Sequence, residues 1–322
     1  MKAFNDADGA GPNVCVFAPA LLLSVTIESN DGDDDTTGEI HLHPGGQGFW
    51  IARMLEQLGE HPVLCAPVGG ETGRALWGLM TDWGIDFRPI VTDGASAARI
   101  HDRRSGQRDE IARAVPPALD RHELDDLYGK VLELALETRT CVVTGRIPGD
   151  GLGDHVFTRL GADLASMGIR TVADLHGGDL DAWLKGGTID VLKVSDEDLV
   201  GDGSLVDSSE DTVCEVITDL VARGARSVVV SRAHRPALAM INNVLYRVRP
   251  PDVSVVDSSG AGDSMTGALA AGFLNSMEPT DALRLACAAG SANVARHGLA
   301  TGSADLIRRL AREVEIEVVR KL

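Results

Sequence analysis

The sequence has no Cys-x-x-Cys pair, although it holds five cysteines, Cys15, Cys65, Cys141, Cys214 and Cys287. Their number is odd, and most sit in apolar runs such as Val14-Cys15-Val16-Phe17. This sets aside a disulfide framework or a thiolate metal cage and points to reduced, buried thiols in the cytosol. No apolar run approaches the roughly 20 residues of a membrane span. Met1-Lys2-Ala3-Phe4-Asn5-Asp6 lacks a basic region followed by an apolar one, so no secretory leader is expected. Positive charge is also scarce: a net charge of −18 argues against nucleic acid or an anionic membrane as partner. It leaves room for a local cationic site that takes a nucleotide. No internal repeat or long linker divides the chain. The acidic run Asn30-Asp31-Gly32-Asp33-Asp34-Asp35 lacks the ligand and glycine spacing of a calcium loop and reads as a solvated turn. What remains is a cytoplasmic globular chain of 322 residues, 44 % hydrophobic and 24 % charged, long enough for one large α/β domain with a full core or for two modest ones.

Short apolar runs alternate with longer amphipathic ones. Val14–Phe17, Val63–Val68, Cys141–Thr144, Thr171–Asp174, Val191–Lys193 and Ser227–Ser231 read as strands. Gln47–Leu58 places Ile51, Met54, Leu55 and Leu58 on one helical face, and Gly73–Trp83, Arg121–Leu136, Asp154–Ser166 and Asp211–Ala222 behave similarly. This alternation predicts a mostly parallel sheet with helices on both faces. Two stretches break the rhythm. Leu21–Leu42 reads as two strands around the acidic turn, and Ile85–Arg113 as further short strands with Arg103-Arg104-Ser105-Gly106 as a hairpin turn. Together they predict a small separate sheet inserted into the main domain.

The most informative stretch is Asp257-Ser258-Ser259-Gly260-Ala261-Gly262-Asp263-Ser264, which follows the apolar run Val253–Val256 and precedes a helix ending near Phe273. A helix start offers unpaired N–H groups and the positive end of the dipole, and glycines let the backbone approach an anion closely. An aspartate there repels phosphate unless it serves as base toward an incoming hydroxyl. Read locally, Asp263 is either that base or a helix cap.

The same stretch resembles the C-terminal signature of the ribokinase-like (PfkB) carbohydrate kinases, Asp-Thr-x-Gly-Ala-Gly-Asp-x. The resemblance implies that Asp263 is the catalytic base and that Gly260, Ala261 and Gly262 form the anion hole. Pro44-Gly45-Gly46-Gln47-Gly48-Phe49-Trp50-Ile51-Ala52-Arg53 stands where that family has Gly-Gly-Lys-Gly-x-Asn-x-Ala, which places Gly45, Gly46, Gln47 and Trp50 against the substrate. Leu192-Lys193-Val194-Ser195-Asp196-Glu197-Asp198-Leu199 is similar to Ile-Lys-Pro-Asn-x-x-Glu-Leu, implying Ser195 and Asp198 near magnesium and Lys193 near the nucleotide. Val143-Thr144-Gly145-Arg146-Ile147-Pro148-Gly149 resembles a Ser-Gly-Ser-Leu-Pro-Pro-Gly stretch of phosphofructokinase-like members, and Ala300-Thr301-Gly302 a Gly-Thr-Gly near the adenine pocket. The matches recur in order over about residues 14–302 and lie nearest the fructose-1-phosphate and tagatose-6-phosphate kinase branch. They imply a three-layer ribokinase-like α/β fold with a mostly parallel central sheet, one kinase domain over residues 1–322, and a small β lid from about 21–43 and 85–113. They also imply ATP, Mg2+, a small-molecule alcohol substrate and a homodimer through the lid.

Departures from the family pattern locate the variable chemistry. The Asn-x-x-Glu motif becomes Ser195-x-x-Asp198, which doubles as a helix N-cap with an acidic first turn. A substrate-binding Asp reads as Leu22, the family Lys as Gln47 and the family Asn as Trp50, so three hydrogen-bonding groups for a sugar are replaced together. This predicts poor use of fructose 1-phosphate and tagatose 6-phosphate and favours an acceptor with an apolar or planar part. His41 and His43 share a strand face before the glycine pair, and His43 is a substrate candidate. Arg99, Arg103 and Arg146 are candidates for neutralising a substrate phosphate. The nucleotide loop Ser-x-Gly-x-x-Gly reads Ser231-Arg232-Ala233-His234-Arg235-Pro236, leaving Ser231 and Arg232 as phosphate candidates, with Asn293 and Gly302 toward adenine. Three functions remain open: a kinase acting on a carbohydrate alcohol, a kinase for a nucleoside or other alcohol, and a non-catalytic ligand-binding or regulatory protein on the same fold.

Overall fold

The computed structural model describes residues 11–29, 38–147, 149–295 and 302–321. The acidic turn, the first six residues and Thr301 lie outside the described residues. Strand β1 (Val14–Phe17) leads into a hairpin, β2 (Leu22–Ser29) and β3 (Gly38–Gly45). Helix α1 (Gln47–Gln57), β4 (Pro62–Cys65), β5 (Pro67–Gly69) and α2 (Gly70–Trp83) follow. Short strands β6 (Asp86–Phe87) and β7 (Ile90–Thr92) precede a second hairpin, β8 (Ala97–Asp102) and β9 (Asp109–Ala114). The chain then alternates regularly through α3 (Arg121–Thr138), β10 (Thr140–Thr144), α4 (Asp154–Ser166), β11 (Arg170–Asp174), α5 (Gly177–Gly186) and β12 (Val191–Ser195). It continues through α6 (Asp196–Gly201), α7 (Glu210–Ala222), β13 (Val228–Arg232), β14 (Arg235–Ile241) and β15 (Val244–Arg249). Helices α8 (Ala261–Leu274), α9 (Pro279–Val294) and α10 (Ala304–Leu310) lead to the last strand, β16 (Glu315–Lys321).

Ten strands form the central sheet in the order β16-β15-β14-β13-β12-β11-β10-β1-β4-β6. Pairing is parallel from β6 to β13 and antiparallel from β13 to β16. Both faces are covered, which explains why the parallel strands read as unbroken apolar runs. Val14 and Val16 point into a core with α1, α2, α8 and α9, while Cys15 and Phe17 point into a second core with α3, α4, α5 and α7. Side-chain alternation along one strand thus divides the three layers. The antiparallel edge turns between β14 and β15 on Asn242 and Asn243, both at positive φ, as a two-residue hairpin connection demands.

The lid is a second sheet in the order β3-β2-β8-β9. Residues 85–92 do not join it: β6 pairs with β4 at the edge of the main sheet, and β7 pairs with β5 as a separate ribbon. Period-two alternation gives the lid two unlike faces. Ser24 pairs with His43 and Arg99, and Thr26 with His101, so these polar residues share one face. Val25 pairs with Leu42 and Ile100, and Ile27 with Ile40, on the other. No helix of the described residues is long and apolar enough to cross a membrane.

Candidate active site

The parallel strands end along one edge of the central sheet, where α8 begins. Gly260 caps α8 in the left-handed region at φ 76°, a conformation that favours glycine. The preceding loop is held from three sides. Val256 N donates to Val294 O at 2.7 Å, Asn293 Nδ2 to Ser259 O at 2.6 Å, and Ser259 N to Asp257 Oδ1 at 2.9 Å. Asn293 therefore braces the loop beside the anion turn and does not face open solvent.

Asp263 stands in the first turn of α8, but α8 has no side-chain cap hydrogen bond. The cap reading of Asp263 fails on this geometry, and its carboxylate faces the cleft. Burial, reinforced by Asp174 and Asp198 and only partly offset by Lys193, pushes its pKa up to about 7. Beneath it, Lys193 Nζ lies 3.2 Å from Asp174 Oδ2, and Thr266 Oγ1 donates to the same oxygen at 2.6 Å. Burial works against the Lys193 charge, but Asp174, Asp263 and Asp198 outweigh it and hold its pKa up. A Cβ on Gly262 would fall 2.6 Å from Lys193 Nζ, so the turn lies directly on the ammonium. Ser195 caps α6: its Oγ accepts from Asp198 N at 3.0 Å and donates to Asp198 Oδ2 at 2.6 Å.

Asp263 and Gly260 open onto a cleft of about 920 Å³ between the main sheet and the lid. Gly45, Gly46, Gln47, His43, Trp50, Arg99 and Arg146 all line it. Gly46 is fixed as glycine by its φ of 99° and by Ala20 O, which lies 2.3 Å from where a Cβ would stand. Trp50 is only 6 % exposed, packed edge-on against Phe49 at 4.7 Å and tilted against His43 at 5.9 Å. Burial, then Arg108 and His101, push His43 down to about 4, so its ring is neutral at physiological pH. Arg99 lies 3.7 Å from Glu110. Arg146 is bound to Asp179 at 2.7 Å, to Asp154 at 2.6 Å and to the Leu152 carbonyl, so carboxylates already answer its charge.

Lys193, Ser231, Arg232, Asn293, Gly302, Ser195 and Asp198 do not line this cleft. Arg232 is buried in the β13–β14 hairpin, donating to Ser208 O at 2.7 Å and Pro236 O at 3.2 Å. Ser231 Oγ donates to Val194 O at 3.5 Å. Ala233, at φ 50°, tightens the turn where the family pattern has glycines. Gly302 is buried against Ala292 and Ile307.

Sequence reading missed Asp174, Thr266, Ser24, His101 and Arg108. Asp174 carried a usable signal, an acid at the carboxyl end of a buried parallel strand, where α/β sheets place their sites. Arg108 carried none, because only the lid fold brings its Nη1 to 3.0 Å from Ser259 Oγ, 151 residues away.

A buried carboxylate in the first turn of a helix, at the carboxyl edge of a parallel sheet and under a β lid, is the arrangement of a phosphotransferase with an alcohol acceptor. The chain belongs to the pfkB family of carbohydrate kinases, whose family model matches residues 13–306. It is 28 % identical to ATP-dependent 6-phosphofructokinase isozyme 2 of Escherichia coli K12 over 266 residues, covering 82 % of this chain and 85 % of that protein. The Mycobacterium tuberculosis isozyme 2 is 27 % identical over 301 residues, covering 90 % and 86 %. The crystal structure of E. coli phosphofructokinase-2 in complex with potassium superposes with a TM-score of 0.83 at 25 % identity, covering 94 % of this chain and 98 % of that one. Fold and family thus agree on a ribokinase-like kinase that uses ATP.

Proposed function

We propose that this kinase transfers the γ-phosphoryl group of ATP to a free hydroxyl of a phosphorylated sugar. The carrying observation is the cleft itself, in which Asp263, with no cap to make, faces a wall bearing His43 and Arg99. The acceptor oxygen bonds to the γ-phosphorus as the bond from that phosphorus to the β–γ bridging oxygen breaks, ADP leaves, and the acceptor proton passes to Asp263. The Gly260, Ala261 and Gly262 amides face the developing charge. Arg99 and the polar row Ser24 and His43 suit a phosphate and hydroxyls. Trp50, withdrawn into the core, offers little of the apolar platform that its sequence position suggested. Relatives named as 6-phosphofructokinases support the same choice.

Magnesium fits the donor set. Asp174 pairs with the Lys193 ammonium, and Asp198 and Asp263 act on it as well, so hard acidic oxygen outnumbers the one positive charge. Among the described residues no three acidic or histidine side chains form a cage, as suits an ion held mostly by phosphates and water, with Ser195 and Asp198 as its protein side. When bound, it neutralises charge on the β- and γ-phosphates. The apolar lid face of Val25, Ile27, Ile40, Leu42 and Ile100 leaves Ile40 64 % and Leu42 48 % exposed, which supports a homodimer through the lid. Free, mostly buried cysteines support a cytosolic location, which cell fractionation checks.

The test is ADP release with ATP, with and without Mg2+, over fructose 6-phosphate, fructose 1-phosphate, tagatose 6-phosphate, fructose and a nucleoside panel. The expected result is magnesium-dependent turnover of a sugar phosphate at a kcat/KM of about 10⁴ M⁻¹s⁻¹ or above. A nucleoside or unphosphorylated sugar as the preferred acceptor would overturn the reading.

A further inference from the structure

Three arginines line the cleft, and their partners differ. Arg146 is paired with Asp179 and Asp154, and Arg99 with Glu110. Arg108, carried by the turn between β8 and β9, has no carboxylate within salt-bridge reach among the described residues. Among the described residues its one hydrogen-bond partner is the neutral hydroxyl of Ser259, which precedes Gly260 of the glycine turn. The neighbouring Arg103 meets Asp257 at 3.0 Å, so the lid turn is fixed to the phosphate loop at two points. Burial, reinforced by Arg103 and Arg99, pulls the Arg108 pKa down although Asp257 and Glu110 oppose it. Nearby, His101 Nδ1 is buried without a partner among the described residues, and Arg108 is among the causes that lower both His101 and His43. The Arg108 guanidinium sits on an exposed turn, is bonded among the described residues only to a neutral hydroxyl, and feels Asp257 and Glu110 without an ion pair to either, so its fork keeps donors free for an anion in the cleft.

We propose that Arg108 is a catalytic residue of the transfer, its guanidinium contacting the phosphoryl group in flight beside the Gly260–Gly262 turn. The lid turn delivers the charge, so the site that stabilises the transition state is complete only when the lid meets the Ser259 loop. The planar fork suits the equatorial oxygens of a phosphoryl group, which gain charge as the bond to the leaving group stretches. Ser259 holds the fork on target in the absence of that group. Two phosphates are available to it in principle, that of the nucleotide and that of the acceptor. Adjacency to Gly260 selects the first.

This assignment rests on the kinase reading above, and the test separates the two. Arg108→Ala and Arg108→Lys are compared with wild type in kcat and acceptor KM. They are also compared in calorimetric affinity for MgADP alone and for MgADP with aluminium fluoride, a stand-in for the transferring group. Arg108→Ala is expected to lower kcat about 10²-fold while acceptor KM moves less than about threefold. It should also weaken MgADP–aluminium fluoride at least about tenfold with MgADP alone unchanged, and Arg108→Lys should fall between. A kcat within about threefold of wild type, or a loss confined to acceptor KM, would overturn the assignment, the latter by placing Arg108 on the acceptor's own phosphate. If wild type turns over no acceptor, the kinase reading fails, while the aluminium fluoride arm still decides Arg108. Should Arg108→Ala not fold, Arg108→Lys carries the same comparison.

Discussion

At the floor of the cleft, Asp174, Lys193 and Thr266 bond to one another before any substrate arrives. Across the cleft, on the lid, Ser24 Oγ and His101 Nδ1 are buried with no partner among the described residues, and Arg108 has only a hydroxyl there. The floor is electrostatically arranged in advance, so no reorganisation is required of it during transfer. Unpartnered buried polar atoms on the lid carry a desolvation cost that a ligand relieves. On the proposed reading the floor carries the prearranged groups of the transfer, and the lid wall, Arg108 apart, carries the groups that suit recognition of the acceptor.

The comparison predicts unlike responses to mutation. Removing the base at the floor gives the largest effect: Asp263→Asn is expected to lower kcat by about 10²–10⁴-fold with acceptor KM little changed. Because Asp263 must be ionised to accept a proton, wild-type kcat/KM should rise with pH through about 7. The sign for stability is the reverse. A carboxyl pKa raised above its ordinary value of about 3.9 means that the native state holds the proton more tightly, so its contribution falls as pH climbs from about 4 to 7. Asp263→Asn should therefore melt higher than wild type at pH 8, with the gap closing toward pH 4. A variant that keeps turnover within a few-fold would remove the floor from the mechanism.

On the lid wall the expected effect is smaller and of another kind. His43→Ala should raise acceptor KM roughly tenfold with kcat nearly constant, the mark of a group that holds ground state and transition state alike. An equal fall in kcat and kcat/KM would instead join His43 to the chemistry and blur the division between floor and lid. Smallest in catalysis is the lid's outer face. Ile40→Asp combined with Leu42→Asp should shift a dimer toward monomer in sedimentation at micromolar concentration, since charge is placed on an apolar contact. A monomeric wild type would remove the outer face as an interface.

The alternating core of the fold was legible because its parallel strands are buried on both faces and its helices are amphipathic. Strands β1, β10, β11, β12 and β13 and helices α1, α3, α4 and α7 lie within a few residues of where periodicity places them. Helix α5 escaped because Gly177-Gly178 hides its start, and its buried Leu180 and Trp183 are too few to show a period. The antiparallel edge escaped although Asn242-Asn243 carries the turn signal. In the site, Asp263 and the paired glycines were readable because their function needs particular residues at fixed local spacing. Arg108 and His101 were not, since each acquires meaning only from a partner on another element, and Asp174 offered only its place at the end of a buried strand. Arg146 shows the converse: its position was read from sequence, but the carboxylates of Asp179 and Asp154 that occupy it were invisible there.

The contact between Gly262 and Lys193 changes how a Gly-Ala-Gly-Asp sequence should be weighed as a marker of activity. A methyl group at position 262 would stand 2.6 Å from the ammonium that neutralises buried Asp174. Glycine is thus favoured from below by an ion pair inside the fold, as well as, on the proposed reading, from above by a phosphate. A descendant that had abandoned phosphoryl transfer but kept its core would still be selected to retain this glycine, because losing the pair leaves an uncompensated buried charge. Asp263 caps nothing, and its burial beside Asp174 makes its own charge unfavourable even though it helps to hold the Lys193 charge. On the proposed reading, a copy of this gene freed from phosphoryl transfer should lose the aspartate more readily than the glycine, so the aspartate is the better marker of a working site.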